Sequence, residues 1–113
     1  MEHILKHTVP GNPRNSEGSF VKLADGTLYF AYSRYNGESG HDHSAADIAA
    51  VTSKDNGASW SEPVIVFKNR AMNLMSVSLL RLNDISFSYF HMIIVLHFQY
   101  PKYQPSRLLL YIL

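Results

Sequence analysis

The sequence predicts an all-β protein whose strands form four-stranded antiparallel sheets of the kind that make up the blades of a β-propeller. Three observations indicate this. Short segments with strand propensity alternate with turns over residues 15–67, a similar segment recurs later in the chain, and one turn carries a motif of fixed spacing. We therefore expect a partial propeller domain at 1–84, with one complete blade at about 15–67 and the start of the next at about 74–84.

The composition limits the class of protein. The chain has 113 residues, of which 46% are hydrophobic and 17% charged, enough apolar side chain for one small core. A formal net charge of +1 and the lack of a lysine or arginine stripe indicate no nucleic acid partner. Without cysteine, disulfides and thiolate metal sites are excluded. No signal peptide is recognisable at 1–10, so localisation stays open between a cytoplasmic chain and a secreted or periplasmic parent.

Four strand segments predict the first blade. The first two flank the turn Ala24-Asp25-Gly26, whose glycine can take a positive φ, and so predict a hairpin. The third segment is assigned to strand rather than helix because it is short and a hairpin follows it. The polar loop 34–44 is long enough to carry function. The predicted strands are 19–23, 27–33, 45–52 and 63–67.

The recurring segment pairs 19–25 with 78–84, and both read hydroxyl, two apolar residues, basic, leucine, small or polar, aspartate. At the next position Gly26 is matched by Ile85, which disfavours the positive φ of a tight turn. Residues 85–113 are apolar, with little alternation and no turn signals. We expect an irregular tail there and hypothesise a frameshifted or truncated end. The apolar run 85–100 is shorter than the ~20 residues of a spanning helix, so we interpret it as a buried or misfolded strand and expect no membrane partner.

The motif is S-x-D-x-G-x-x-W, the Asp-box, and it is matched at Ser53, Asp55, Gly57 and Trp60. Asp55 can accept backbone N–H groups within a turn, and Gly57 can take a positive φ. The ring of Trp60 can pack beneath the sheet. These roles are structural, and they place the motif in the turn between the third and fourth strands of a blade.

With the elements around the motif, residues 14–67 resemble the bacterial-type sialidases and the wider group of sialidase-like proteins with BNR repeats. The resemblance implies a six-bladed propeller and an exo-alpha-sialidase-type glycoside hydrolase that removes terminal sialic acid from glycoconjugates. One departure is that the first arginine of the family is expected nine residues before the turn aspartate, where this chain has Ser16. The matching elements are Arg14, 20–23, Asp25-Gly26, Ser33-Arg34, Asp42, 46–48 and the box at 53–60.

The resemblance also assigns roles to polar residues. Asp42 is the candidate catalytic acid and base, favoured over Asp47, which is more typical of a supporting residue. Arg14 and Arg34 are candidates for binding the substrate carboxylate, because a guanidinium matches carboxylate geometry. For Arg14 the alternative is a solvated side chain, and for Arg34 it is a salt bridge to Glu38 or Asp42.

Glu17 and Asn73 precede the innermost strands of the two copies and are candidate sugar contacts, with plain turn residues as the alternative. His41 and His43 lack a third ligand, so we expect no metal, and nothing indicates a cofactor. In the family, the tyrosine nucleophile, its glutamate and the remaining arginines come from later blades, so we expect this chain alone to be inactive. The alternative functions are a non-catalytic Asp-box propeller that binds carbohydrate or protein, and a different glycosidase; oligomeric state and linkage preference stay open.

Overall fold

The structure is a computed structural model that describes residues 8–70, 73–81, 92–99 and 107–112, the last two ranges by their backbone. Within these ranges the chain forms seven strands and no helix, which confirms the all-β prediction. The strands are β1 (Asn15–Lys22), β2 (Leu28–Tyr35), β3 (Ala46–Ser53), β4 (Val64–Phe67), β5 (Asn73–Arg81), β6 (Met92–Gln99) and β7 (Arg107–Ile112).

The first sheet is antiparallel with strand order β1-β2-β3-β4. Its first hairpin turns as predicted, because Gly26 has a φ of 88° and donates its N–H to the carbonyl of Leu23 at 2.9 Å. The side chain of Asp25 accepts the N–H of Thr27 at 2.9 Å. The segment that could have been strand or helix is β3, a strand. Four consecutive strands therefore form one sheet.

A second antiparallel sheet has strand order β5-β6-β7, and it corrects the expectation of an irregular tail. The segments MIIVLHFQ and RLLLYI, expected to belong to an irregular tail, are strands β6 and β7. Continuous apolar runs without alternation are typical of strands buried on both faces, so missing alternation did not indicate an irregular structure. The connection around Ile85 lies outside the described residues, and the frameshift stays a hypothesis.

The second sheet repeats the first in its register. β1 and β2 pair Ser19 with Ala31, and β5 and β6 pair the corresponding Ser78 with Val95. In both sheets the register shifts just before this serine, between Ser16 and Ser19 in β1 and between Met75 and Ser78 in β5. The recurring sequence segment therefore corresponds to a recurring strand arrangement that includes the same bulge.

Each bulge contains one residue other than glycine with a left-handed backbone, Glu17 with a φ of 52° and Ser76 with a φ of 60°. The two bulges contact each other. The Ser76 N–H donates to Glu17 Oε2 at 2.8 Å, and its hydroxyl reaches the same oxygen at 3.2 Å. Nearby, the Leu79 N–H donates to the Ser19 hydroxyl at 3.2 Å. Matching positions of the two sheets thus align β5 beside β1.

The core lies between the two sheets. The first sheet contributes apolar side chains from β1, β2 and β3, and β5 contributes two more from the second sheet. A smaller apolar cluster covers the other face of the first sheet and includes the half-buried Trp60. The buried residues of the core are Val21, Ala31, Ile48, Ala50, Leu74 and Val77.

The antiparallel register gives the first sheet two distinct ends. Residues before β1, after β2 and before β3 meet at one end, which we call the loop end and define by Arg14, Tyr35 and Ala46. The turn at 25–26 and the Asp-box turn at 53–60 meet at the opposite end, the box end. The polar loop 36–45 therefore projects at the end of the sheet away from the Asp-box.

Candidate functional site

The Asp-box turn is held by hydrogen bonds centred on Asp55. Its Oδ1 accepts the Ser59 N–H and the Ser53 hydroxyl, each at 2.8 Å, and its Oδ2 accepts the Ser59 hydroxyl. Chiefly through the bonds from Ser59, these donors lower the pKa of Asp55 to about 2. The Ser53 hydroxyl in turn accepts the Gly57 N–H at 2.8 Å. This carboxylate therefore supports a turn, far from the loop end.

Gly57 and Trp60 complete the turn. Gly57 has a φ of 92°, a backbone conformation that side chains other than glycine rarely adopt. Its carbonyl accepts the Trp60 Nε1–H at 3.1 Å, while the ring packs on the smaller apolar cluster. The indole is therefore fixed at its polar edge and buried along its apolar body, as is usual for tryptophan.

At the loop end, Arg14 and Asp42 form an ion pair. Arg14 Nη1 donates to Asp42 Oδ1 at 2.6 Å and to the carbonyl of Gly40 at 3.1 Å. The guanidinium lies over the ring of Tyr35, 4.9 Å from its centroid. The Arg14 side chain is 33% exposed and that of Asp42 is 71% exposed. Three contacts therefore fix the orientation of the Arg14 side chain, whereas the Asp42 carboxylate is largely exposed to solvent.

Two buried asparagines hold the backbone on either side of this ion pair. The Asn12 amide donates to the carbonyl of Tyr35 at 2.8 Å and to that of Arg14 at 3.1 Å. The Asn73 amide donates to the carbonyls of Asp42 at 2.9 Å and Ser44 at 2.5 Å. Since Asn73 begins β5, the loop that carries Asp42 is fastened to the second sheet.

Arg14 and Asn73 occupy corresponding positions in the two sheets, each three residues before the left-handed residue of its bulge. Both hold Asp42, Arg14 by the carboxylate and Asn73 by the main-chain carbonyl. Asn73 is fully buried, and its amide donates to the loop backbone. The repeat thus brings two of the sequence-predicted site residues to opposite sides of a third.

The ion pair shifts the pKa values of both partners. Hydrogen bonding to Asp42 raises the pKa of Arg14, and the charge of Glu17 adds a smaller effect in the same direction. The hydrogen bond from Arg14, followed by its charge, lowers the pKa of Asp42. A general acid requires the opposite shift, so the ion pair with Arg14 opposes the protonated state that a proton donor needs.

Glu17 lies close enough to influence Arg14 electrostatically, but its hydrogen bonds go to Ser76 in the second sheet. Its side chain is exposed, so the carboxylate is bound on one side and open to solvent on the other. Glu17 is thus at the edge of the site, with a clear structural role in joining the two bulges.

Arg34 is not brought together with Arg14 and Asp42. It neighbours Tyr35 in β2, so the two side chains project from opposite faces of the sheet. Arg34 lines a separate depression with Glu62 and Pro63. The ion pair considered between Arg34 and Asp42 is instead made by Arg14.

Asp47 has the supporting role considered for it. It is buried, and its two oxygens accept the Asn36 amide at 2.6 Å and the Asn69 N–H at 2.7 Å. These bonds tie the base of the loop and the residues after β4 to β3. Both carboxylate oxygens therefore have structural partners, whereas the carboxylate of Asp42 faces solvent.

Sequence reasoning missed Asn12, Tyr35 and Gly40. The pair Asn12-Pro13 is a recognisable turn signal, but nothing local indicates that the amide spans 23 residues to Tyr35. Gly40 packs closely on Arg14, since a Cβ there would lie 3.2 Å from the Cβ of Arg14. Long-range contacts define all three roles, and single-sequence patterns do not contain them.

In the parts of the chain that the structure describes, no three histidine, cysteine or acidic side chains are grouped to bind a metal ion. Over the same residues there is no apolar helix of membrane-spanning length. No protein-family model matches this chain, and no curated protein matches it significantly.

Proposed function

We propose that this chain forms part of a six-bladed sialidase-type propeller and that its loop end contributes to a site for a terminal acidic sugar. The parent activity would be that of an exo-alpha-sialidase-like glycoside hydrolase acting on sialylated glycoconjugates. The observation that carries the proposal is the Arg14–Asp42 pair, a carboxylate-binding group beside a solvent-facing acid.

The repeated sheets support the propeller. Their strands share one register and one bulge, and β5 packs beside β1 through corresponding residues. A unit that repeats with the same packing step is typical of propellers and solenoids. The turn that carries the motif lies at the box end, and the polar loop lies at the other end, which is the division of roles that the resemblance implies.

The chemistry of the site supports an acidic sugar. Arg14 presents a guanidinium that is supported by Tyr35 and Gly40 and that can bind a carboxylate. Asp42 stands beside it and can serve as the proton donor and acceptor for a glycosidic oxygen. A tyrosine nucleophile and further arginines would come from other blades, so this chain alone would bind weakly and turn over nothing.

Ligand binding tests the proposal. The full chain is titrated with the methyl glycoside of N-acetylneuraminic acid and, as a matched ligand, with its methyl ester, while backbone amide NMR shifts are followed. We expect saturable shifts at the loop end with the acid and much weaker binding of the ester. Arg14→Gln should weaken binding of the acid about tenfold or more, because a charge-assisted pair is lost.

Arg81→Gln is the matched control, since this exposed arginine ends β5 away from the loop end. Its binding should equal that of the unmodified chain. Equal affinity for acid and ester, or equal effects of the two arginine substitutions, would refute a carboxylate site at Arg14.

The second candidate is a non-catalytic glycan-binding propeller, and the Arg14–Asp42 ion pair favours it, because pairing with a guanidinium stabilises the ionised carboxylate over the proton donor. Turnover of a sialoside by an intact parent, abolished by Asp42→Ala, would identify the hydrolase. Binding without turnover in the same parent would identify the binding module.

A further inference from the structure

The Asp42 carboxylate occupies one donor of the guanidinium that a ligand carboxylate would bind. Arg14 Nη1 donates to it at 2.6 Å and to the Gly40 carbonyl at 3.1 Å, and the guanidinium lies over the ring of Tyr35. A guanidinium pairs with planar carboxylates of either origin. A ligand carboxylate that pairs with Nη1 would therefore compete with Asp42.

The loop backbone is held independently of this ion pair. The Asn73 amide binds the carbonyls of Asp42 and Ser44, and the Ser44 N–H donates to the carbonyl of His41 at 2.8 Å. The Asp42 side chain itself is 71% exposed. Rotation of this side chain can thus open the ion pair while the main chain of the loop stays in place.

We propose that a ligand carboxylate displaces Asp42 from Arg14, so that the ion pair that opposes protonation of Asp42 is broken when an acidic sugar is bound. Asn73 is the positioning residue that keeps the loop in place during this exchange. The inference rests on the proposed function, because it requires Arg14 to be the carboxylate-binding group. It adds to that function that the ion pair of Asp42, the candidate acid, breaks when the substrate binds.

Three carboxyl groups of the chain make the exchange measurable. Arg14 lowers the pKa of Asp42, whereas the pKa of Asp25 is lowered chiefly by Thr27 and that of Asp55 by Ser59. A ligand that takes Arg14 should therefore raise the pKa of Asp42 alone. Asp25 and Asp55 serve as internal controls in the same sample.

The experiment follows the side-chain carboxyl carbons of the full chain by NMR as a function of pH, with no addition, with N-acetylneuraminic acid and with trifluoroacetate, which stays ionised throughout the titration. We expect the Asp42 pKa to move up toward its ordinary value with either carboxylate. Arg14→Gln should raise it without any addition, and neither carboxylate should raise it further. The Asp25 and Asp55 titrations should stay unchanged in every sample.

Asn73→Ala tests the positioning role. With the loop released, Asp42 should titrate closer to its ordinary value without ligand, while Asp25 and Asp55 remain unchanged. A general loss of structure would instead shift all three carboxyl groups toward ordinary values. An Asp42 titration unchanged in a folded N73A chain would contradict the positioning role, and the Arg14→Gln arm tests the exchange separately.

The ligand arms separate this inference from the proposed function. A response of Asp42 to trifluoroacetate but not to the sugar would keep the exchange and refute the acidic-sugar site. Binding of the sugar with an unchanged Asp42 titration would keep the site and overturn the exchange. No response to either carboxylate would overturn both.

Discussion

Leu74→Ala tests whether the second sheet is energetically part of the fold. Leu74 is fully buried in β5 and packs with Val21, Ile48 and other core residues of the first sheet. Truncating a buried leucine loses its transfer free energy and leaves a cavity, at about 2–5 kcal/mol. For this site between two sheets we expect a loss of about 3 kcal/mol in the free energy of unfolding.

Leu80→Ala is the matched control, because Leu80 lies on the same strand and is 60% exposed. The same atoms are removed there without a cavity, so the free energy of unfolding should change by no more than about 0.5 kcal/mol. The difference between the two variants isolates packing between the sheets from the strand propensity of leucine.

Urea denaturation followed by tryptophan fluorescence measures both variants. Trp60 is the only tryptophan, and it packs on the face of the first sheet that does not meet β5. With a slope of about 1.5 kcal/mol per molar urea, the midpoint for Leu74→Ala should fall by about 2 M. Equal midpoints for the two variants would refute the packing of β5 on the first sheet.

Three further predictions concern the Asp-box turn. Gly57→Ala should cost about 1 kcal/mol in urea denaturation because its φ is 92°, whereas Gly37→Ala, with open space and no positive φ, should cost nothing; equal effects would contradict the strained turn. Because the pKa of Asp55 is lowered to about 2 in the folded chain, its stabilising effect is present above the ordinary carboxyl pKa of about 4 and is lost as pH falls toward 2. Asp55→Asn should flatten that part of the dependence of the melting temperature on pH, and an unchanged profile would exclude this role. Trp60→Phe should cost about 1–2 kcal/mol through the lost bond to the Gly57 carbonyl, measured by far-UV circular dichroism, and no loss would show that the bond contributes nothing.

Local chemistry made the first sheet predictable. The turn at Gly26 and the Asp-box at Ser53 to Trp60 each depend on residues within eight positions of one another, so their geometry is contained in short sequence patterns. Strand propensity then assigned the segments between the turns. β1 nevertheless begins four residues earlier than predicted, because a bulge at Glu17 extends the strand through a left-handed residue that sequence does not mark.

The geometry of the candidate site depends on contacts between residues far apart in the sequence, and short sequence patterns do not predict such contacts. Arg14 and Asp42 were both identified as candidates, but their pairing spans 28 residues and reverses the pKa shift that an acid requires. Asn73 was a candidate sugar contact, and its hydrogen bonds to the loop backbone were not predicted. The expectation of an irregular tail was wrong for another reason. Unbroken apolar runs fit a buried strand as well as an irregular segment.

The contact between the bulges determines where the chain tolerates changes in length. Because Glu17 and Ser76 fix how β1 lies beside β5, insertions in the connection between the two sheets would leave the alignment intact. One residue added between Arg14 and Glu17, or between Asn73 and Ser76, would point the Arg14 or Asn73 side chain away from Asp42. Libraries that test the proposed site should therefore randomise the loop and keep these two three-residue spacings constant.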